Sequence, residues 1–349
     1  MKQEAIYLQL YKKMREAIVS GVYPTGSKLP SKRNMAQEWG VGLITVAHAY
    51  ELLMDEGYVE ARQRSGYFVI FRTDDGFASS PRAVTAVKHD GGSAEFPLSV
   101  LQRAMRAVMS DYGADILERS PGEGCRELRQ AIRRYLARSR GIQAREEQII
   151  IGSGSEYLYR MIVDILGRQK IYGIEAPSYK KIEQVYRAAG VQVELLPLGQ
   201  DGIDSKALRE AQADVLHISP YRSFPSGVSA SASKRHEYLR WAQQGRIIVE
   251  DDFESEFSVS KKAEETLFSH AQFENVIYMN TFSQTVSPSL RVGYMVLPVT
   301  LVEEFYKKIG FYSCTVPTYM QLVLARLMDN GDFERHINRV RRQKRKALM

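Results

Sequence analysis

Beyond about residue 95, short and almost wholly apolar segments alternate with longer segments of helical periodicity, and this alternation limits the possible folds more than any other feature. A strand buried on both faces is apolar at nearly every position, whereas a strand with one wet face alternates. The pattern therefore predicts an α/β fold with a mostly parallel sheet covered by helices on both faces. The predicted strands are 148–152, 170–175, 191–196, 215–219, 247–251, 276–279 and 293–297, and the first two helices of this part are 97–109 and 125–139.

The first 71 residues show the pattern of a small helical unit that ends in a hairpin. Helices are predicted over 3–20, 31–39 and 43–56, and strands over 58–61 and 67–71. Ser31 is suited to cap the second helix and Gly40 to end it, because a serine oxygen accepts from the first N–H groups and glycine adopts left-handed backbone. Two short helices around a glycine-containing turn, followed by a basic hairpin, are typical of a winged helix-turn-helix.

Length and composition agree with a two-domain protein. The chain has 349 residues, of which 44% are hydrophobic and 26% charged, with a net charge of +7. The positive balance favours polyanionic partners, although it is modest for this length. Residues 72–94 are rich in Asp, Gly, Ser and Ala without a sustained period, so we predict a linker between domains over 1–71 and 95–349.

The sequence gives no sign of export, membrane insertion or metal binding. No apolar stretch is long enough to span a bilayer, and the N-terminus lacks the apolar core of a signal peptide. Cys125 and Cys314 have no neighbours at metal-ligand spacing, so we expect free thiols, no metal and no disulfide. We expect a cytoplasmic protein with no membrane contact.

Motifs in residues 29–69 closely resemble the GntR-type winged helix. The matching residues are Leu29-Pro30-Ser31-Lys32-Arg33, Ala36, Gly40-Val41, Thr45-Val46, Ala49-Tyr50, Gly57-Tyr58 and Ser65-Gly66-Tyr67-Phe68-Val69. The resemblance implies that double-stranded DNA is a partner. Where the family has Ser-Arg before Thr-Val, this chain has Gly42-Leu43, so an arginine that would face the groove is replaced by a side chain that offers only apolar contact. The alternative, a solvated basic face of an unrelated helical domain, does not explain so many matches in order.

The candidate DNA-binding residues lie at two helix starts and in the hairpin. A helix start presents N–H groups to a phosphate, and cations in its first turn neutralise that phosphate or reach a base edge. The third helix would enter the major groove by its N-terminal residues, and the hairpin suits the minor groove or the backbone. The candidates are Ser31, Lys32, Arg33, Thr45, His48, Arg62, Arg64 and Gly66.

The second part of the chain resembles fold-type I aminotransferases, and specifically the MocR/GabR branch of GntR regulators, in which a winged helix is fused to such a domain. The matching blocks are Ser120-Pro121-Gly122-Glu123-Gly124, Leu128-Arg129, 132–136, Ser219-Pro220, 224–227, 250–257, 281–284 and 288–294. The resemblance implies a homodimer. It also implies that the small C-terminal domain of the family is missing, because this sequence stops in a basic helix predicted over 333–349. That domain supplies the arginine that binds a substrate carboxylate, so no such residue is named here.

In that branch these blocks bind pyridoxal phosphate, and the resemblance implies the role of each residue. The helix start at Ser155 and Glu156 suits the phosphate, to which Thr281 and Arg291 would add a hydroxyl and a charge. Tyr179 would stack on the pyridine ring, and Asp251 would keep its nitrogen protonated. Singly, each residue has a plainer interpretation, as a helix cap, a core residue or part of an ion pair. The implied cofactor-binding set is Ser155, Glu156, Tyr179, Asp251, Thr281 and Arg291.

At position 284 the sequence differs from the family in the one residue on which the family's chemistry depends. The family places there the Schiff-base lysine, seven residues before the phosphate arginine, and this chain has Gln284, whose amide nitrogen cannot form an imine. Phe253 replaces a tyrosine that contacts the cofactor, and Ser223 replaces a longer amide. We therefore expect no catalytic residue and no transamination.

The resulting hypothesis is a DNA-binding transcription regulator with a degenerate, non-catalytic aminotransferase-like domain. That domain would act as a sensor for a small phosphate-bearing or amino-acid-like effector, or as a dimerisation module. The alternative is a pyridoxal-phosphate-dependent aminotransferase, against which Gln284 argues. Two states of the pocket remain open: it binds pyridoxal phosphate without a covalent bond, or it has collapsed.

Overall fold

The structure is a computed structural model, and it describes residues 5–63, 65–71, 96–252, 255–257, 266–271 and 274–347. Arg64, Phe253 and the predicted linker lie outside these ranges. The internal contacts divide the chain into two units, Met1–His89 (unit 1) and Asp90–Met349 (unit 2).

Unit 1 contains the predicted helices and hairpin. Its elements are α1 (Ile6–Val19), α2 (Lys32–Trp39), α3 (Leu43–Asp55), β1 (Val59–Arg62) and β2 (Gly66–Val69). The Ser31 hydroxyl accepts a hydrogen bond from the Asn34 N–H at 3.2 Å, and Gly40 ends α2 with a φ of 62°, as the sequence predicts. Buried side chains of α1 and α3 form the core, and the Tyr50 hydroxyl donates to the Pro30 carbonyl at 2.8 Å. That bond fixes α3 against the start of α2.

Unit 2 contains a seven-stranded sheet in the order β3-β9-β8-β7-β6-β4-β5. The strands are β3 (Ile149–Gly152), β4 (Ile171–Ala176), β5 (Gln192–Pro197), β6 (Val215–Ile218), β7 (Ile247–Asp251), β8 (Val276–Thr281) and β9 (Gly293–Val296). Only β9 among these strands runs antiparallel to its neighbours, and the other pairs are parallel. The predicted mostly parallel α/β sheet is confirmed.

Helices cover both faces of this sheet. They are α4 (Leu98–Tyr112), α5 (Arg126–Ser139), α6 (Ser155–Leu166), α7 (Lys180–Ala188), α8 (Ser205–Glu210), α9 (Ala232–Ala242), α10 (Leu267–His270), α11 (Val299–Lys308), α12 (Thr318–Asp329) and α13 (Asp332–Ala347). Ile149 and Ile151 of β3 pack into one hydrophobic cluster, and Ile150 between them packs into another. Side chains that leave a strand in both directions therefore enter apolar layers, which explains the apolar runs.

Within the described ranges, no helix combines the length and the apolar character needed to cross a membrane.

Candidate functional site

The candidate DNA-binding residues of α2 lie in its first turn. Ser31 and Arg33 are exposed and Lys32 is half-buried. The Lys32 ammonium lies 5.2 Å from the centre of the Tyr67 ring on β2, so it joins the start of α2 to the hairpin. A helix start with two cations in its first turn is suited to a phosphate.

The hairpin positions its arginine differently from the sequence-based interpretation. Arg62 belongs to β1 and pairs with Gly66, so it stands within the strand rather than in the turn. Its guanidinium donates to Glu60 at 2.8 Å and lies 4.4 Å from the centre of the Phe68 ring. Gly66 has a φ of 114°, and a Cβ there would lie 2.9 Å from Cε of Lys28. Lys28 is thus an exposed cation beside the hairpin that the motif analysis missed.

The start of α3 carries no positive charge. Thr45 is half-buried, and exposed His48 packs edge-on against Tyr7 with ring centres 5.9 Å apart. Leu43 and Ile44 leave 51% and 75% of their surface exposed. The cations of α2 and of the hairpin therefore lie on elements that pack against α3, whose own start is uncharged.

In unit 2, the turn between β3 and α6 forms a cradle beside Arg291. Gly154 has a φ of 89°, and a Cβ at this position would lie 2.8 Å from Nη2 of Arg291. The positive φ favours glycine here, and without a Cβ the guanidinium lies close to the turn. Gly154 provides no side-chain cap, so the first N–H groups of α6 are not capped by it. The structure thus brings together a helix start and an arginine that are far apart in the sequence.

Glu156 lies between two cations at this turn. Its carboxylate is 3.3 Å from Nη2 of Arg291 and 2.5 Å from Nζ of Lys181 on α7. The hydrogen bond from Lys181, reinforced by the charge of Arg291, lowers the pKa of Glu156. Glu156 is therefore an anion beside a candidate anion site, which does not fit a direct contact with phosphate. Lys181, which also interacts with Tyr179, carries no sequence signal that distinguishes it from its neighbour Lys180.

Asp251, at the end of β7, is buried and held by two side chains through one oxygen. The Tyr159 hydroxyl of α6 donates to its Oδ2 at 2.8 Å, and Nε2 of His217 lies 3.4 Å from the same atom. The Tyr186 hydroxyl lies 2.7 Å from Nδ1 of His217. Burial raises the pKa of Tyr159 well above its usual range, so the phenol stays protonated, and Ser155 interacts with it. A hydrogen-bonded chain therefore connects the start of α6 to Asp251.

The side chain of Ser223 is hydrogen-bonded within the protein interior. The buried Ser223 hydroxyl donates to Glu175 at 2.6 Å, and the Ser219 N–H donates to the other carboxylate oxygen at 3.3 Å. Burial raises the pKa of Glu175 to about 7. The polar contact that a longer amide makes in the family is replaced by an internal hydrogen bond.

The remaining candidates lie around the same end of the sheet. Thr281 ends β8 and is buried, and Gln284 is half-buried in the turn that follows. Tyr179 precedes α7, is 37% exposed, and packs edge-on against Phe224 with ring centres 6.2 Å apart. Chemically, this end of unit 2 can hold an anion at Arg291 and a cationic or N–H group at Asp251.

Two family models match the chain. Residues 6–69 match the gntR family of bacterial regulatory proteins, and residues 89–348 match aminotransferase class I and II.

Similar proteins of known sequence are regulators with this combination. The chain is 31% identical to the uncharacterized HTH-type transcriptional regulator YdeL of Bacillus subtilis (strain 168), over 98% of this chain and 77% of that protein. It is 28% identical to the probable rhizopine catabolism regulatory protein MocR of Rhizobium meliloti, over 97% of this chain and 74% of that protein.

A solved structure with the fold of unit 2 is the Pyrococcus horikoshii kynurenine aminotransferase. It superposes with a TM-score of 0.66 at 26% identity, over 72% of this chain. The match spans 66% of that enzyme's chain.

Proposed function

Since this chain belongs to the MocR-type GntR regulators, which join a winged helix to an aminotransferase-like domain, we propose that unit 2 senses a phosphate-bearing ligand without a covalent bond and without catalysis. The chain is a DNA-binding transcription regulator by family. The observation that supports the sensor role is the cradle at Gly154, where Arg291 faces an α6 start that has no side-chain cap.

The phosphate end of the pocket fits pyridoxal phosphate, because the Arg291 guanidinium lies beside an α6 start that has no side-chain cap. Arg291 and the first N–H groups of α6 would hold the phosphate. Asp251 would accept from the ring nitrogen, and Tyr179 would lie against the ring. In enzymes this cofactor supplies an electron sink for reactions at the α carbon of an amino acid.

The residues of this chain bind and orient, but they do not provide the covalent anchor. Gln284 occupies the position of the family lysine, and its amide has no basic nitrogen. Ser223 is bonded to Glu175 and so does not replace the missing ring contact. Without a covalent bond, we expect micromolar or weaker affinity, about 8 kcal/mol or less.

Calorimetric titration with pyridoxal phosphate tests this proposal. Replacing Arg291 with alanine should weaken binding at least tenfold, because a charge-assisted contact to the phosphate is lost. Arg160→Ala is the matched control, since Arg160 lies on α6 and pairs with Asp164 on the same helix. Binding that is absent, or that is the same in both variants, would contradict the proposal.

The absence of catalysis is tested by trapping. Borohydride treatment of the wild-type chain with pyridoxal phosphate should leave no stoichiometric adduct on a single lysine, whereas a Gln284→Lys variant should gain one. A stoichiometric adduct on wild type, together with amino-group transfer, would instead support the aminotransferase alternative.

We also infer that unit 1 binds duplex DNA through the starts of α2 and α3 and through the hairpin. We further infer that the chain acts as a homodimer and that it works in the cytoplasm, where it binds the DNA. Two winged helices in one dimer would match a two-fold operator with half-sites about one helical turn apart. Sedimentation at micromolar concentration tests the dimer, and a purely monomeric protein bound to a single half-site would contradict it.

A further inference from the structure

We propose that the start of α3 recognises thymine through its methyl group, using Leu43 and Ile44. The inference rests on the proposal that unit 1 places the start of α3 in the major groove. It concerns which base is read there and by which chemistry.

The first observation is the exposure of two large apolar side chains at the first two positions of α3. Leu43 is 51% exposed and Ile44 is 75% exposed, whereas Val46, Tyr50 and other core residues of the same helix are fully buried. The core of unit 1 is complete without the exposed pair. Leu43 and Ile44 therefore do not serve packing within the described part of this unit.

The second observation is the distribution of charge around this pair. The sequence contains no lysine or arginine from Asn34 to Ala61, a stretch that includes the whole of α3. Cations are found instead on α2 (Lys32 and Arg33), just before α2 (Lys28) and at the end of β1, where Arg62 pairs with Glu60. An apolar helix start on a unit whose neighbouring elements carry cations suits a groove bordered by phosphates, so duplex DNA is the partner that fits this surface.

The third step follows from the chemistry of base edges. Guanine is read by the paired donors of Arg or Lys, and α3 has neither of these residues. Thymine alone among the four bases presents a methyl group in the major groove, and apolar side chains contact it. Leu43 and Ile44 are thus suited to thymine and offer nothing to the acceptors of guanine. Thr45, which is half-buried, and His48 can add hydrogen bonds.

The test begins with duplexes selected from a random library by the full-length chain. Each thymine of the selected half-site is then replaced singly by uracil, which removes the methyl group and nothing else. One or two thymines should be sensitive, each with an affinity loss of about fourfold, the value expected for one buried methyl group. Leu43→Ala and Ile44→Ala should bind the thymine duplex more weakly and should lose the discrimination against uracil.

A change of specificity provides a second measurement that does not depend on loss of binding. Leu43→Arg should shift the selected base at the sensitive position from thymine to guanine. Val22→Ala is the matched control, because Val22 is an apolar residue of unit 1, 69% exposed and outside α2, α3 and the hairpin. It should keep the uracil sensitivity of the wild type. Circular dichroism of all variants checks that they are folded.

Three results would overturn the inference: uracil tolerated at every position, uracil sensitivity retained in both alanine variants, or alanine variants that change only self-association. A failure to select any duplex would be a different result, because it would remove the proposed DNA-binding surface itself.

Discussion

Replacing Glu156 with glutamine should strengthen the binding of a phosphate-bearing ligand. The Glu156 carboxylate lies 3.3 Å from Arg291, the residue we propose to hold the phosphate, and 2.5 Å from Lys181. A phosphate that reaches Arg291 must share that cation with an anion already in place. The amide of glutamine keeps the size of the side chain and removes the charge.

The expected gain is about 1 kcal/mol, or roughly fivefold in Kd. Two like charges about 5 Å apart repel by less than 1 kcal/mol in water and by several kcal/mol at the lower dielectric of a protein surface. The Glu156 side chain is 35% exposed, so solvent screening keeps the effect near the lower end. The pKa of Glu156 is lowered by Lys181, so the carboxylate is ionised, and the gain should be nearly constant between about pH 7 and 8, where the ligand's phosphate is also largely dianionic.

Calorimetric titrations with pyridoxal phosphate and with pyridoxal provide the measurement. The gain should appear only for the phosphorylated ligand and should shrink as salt increases. Glu183→Gln is the matched control, since Glu183 forms an exposed ion pair with Arg187 on α7. An equal gain for unphosphorylated pyridoxal, or no gain at low salt, would refute the argument that Glu156 competes with the phosphate.

Further predictions concern the DNA surface and the stability of unit 2. Arg33→Ala should weaken duplex binding by roughly 1–3 kcal/mol if Arg33 reaches a base edge, and unchanged affinity across several salt concentrations would remove it from the interface. Arg140→Met should lower the free energy of unfolding in urea by roughly 3–5 kcal/mol, because it leaves the buried Asp252 carboxylate without its guanidinium. The control Arg134→Met removes an exposed ion pair and should lower it by less than about 1 kcal/mol. Burial lowers the pKa of His336 to about 4 in the folded chain, whereas a histidine in the unfolded chain takes up a proton near pH 6.5. The free energy of unfolding should therefore fall by up to roughly 3 kcal/mol as the pH drops from 6.5 to 4. Thermal unfolding of His336→Gln should show a weaker pH dependence over that interval, and an unchanged slope would contradict the assignment.

Most of the sheet could be predicted because its strands, apart from the edge strand β5, are buried on both faces. Every residue of β3 and β9 is buried, and both are apolar runs in the sequence. The end of β8 could not be predicted in the same way. Asn280 and Thr281 are polar, yet they continue the strand in the buried layer, where Asn280 donates to Glu256 at 2.6 Å. Hydropathy shows that burying such a polar residue costs free energy, but it does not show the distant hydrogen-bond partner that offsets this cost.

The candidate pocket could be predicted only where motif and local geometry coincide. Ser155 and Tyr159 are four residues apart on α6, so helical spacing places them on one face once Ser155 is identified. The hydrogen bond from Tyr159 to Asp251 joins residues 92 positions apart. The pairing of Glu156 with Lys181 depends on how α6 and α7 pack. Neither contact leaves a periodic signal in the sequence.

The two sites depart from the family pattern in the same physical way. Each retains a cation at a helix start that we propose as a candidate phosphate contact, Lys32 in unit 1 and Arg291 in unit 2. Each has an uncharged side chain where the family has a basic one, Leu43 for an arginine and Gln284 for the lysine. Phosphate contacts do not distinguish one base or ring from another, so selectivity at both sites must come from the neutral or buried contacts. Added salt should weaken the affinities for DNA and for the phosphate-bearing ligand, because both include contacts between cations and phosphates. It should leave the ratio of the affinities for thymine and uracil duplexes unchanged, because neutral contacts release no counterions. A ratio that falls with salt would mean that charge, and not the apolar tip of α3, selects the base.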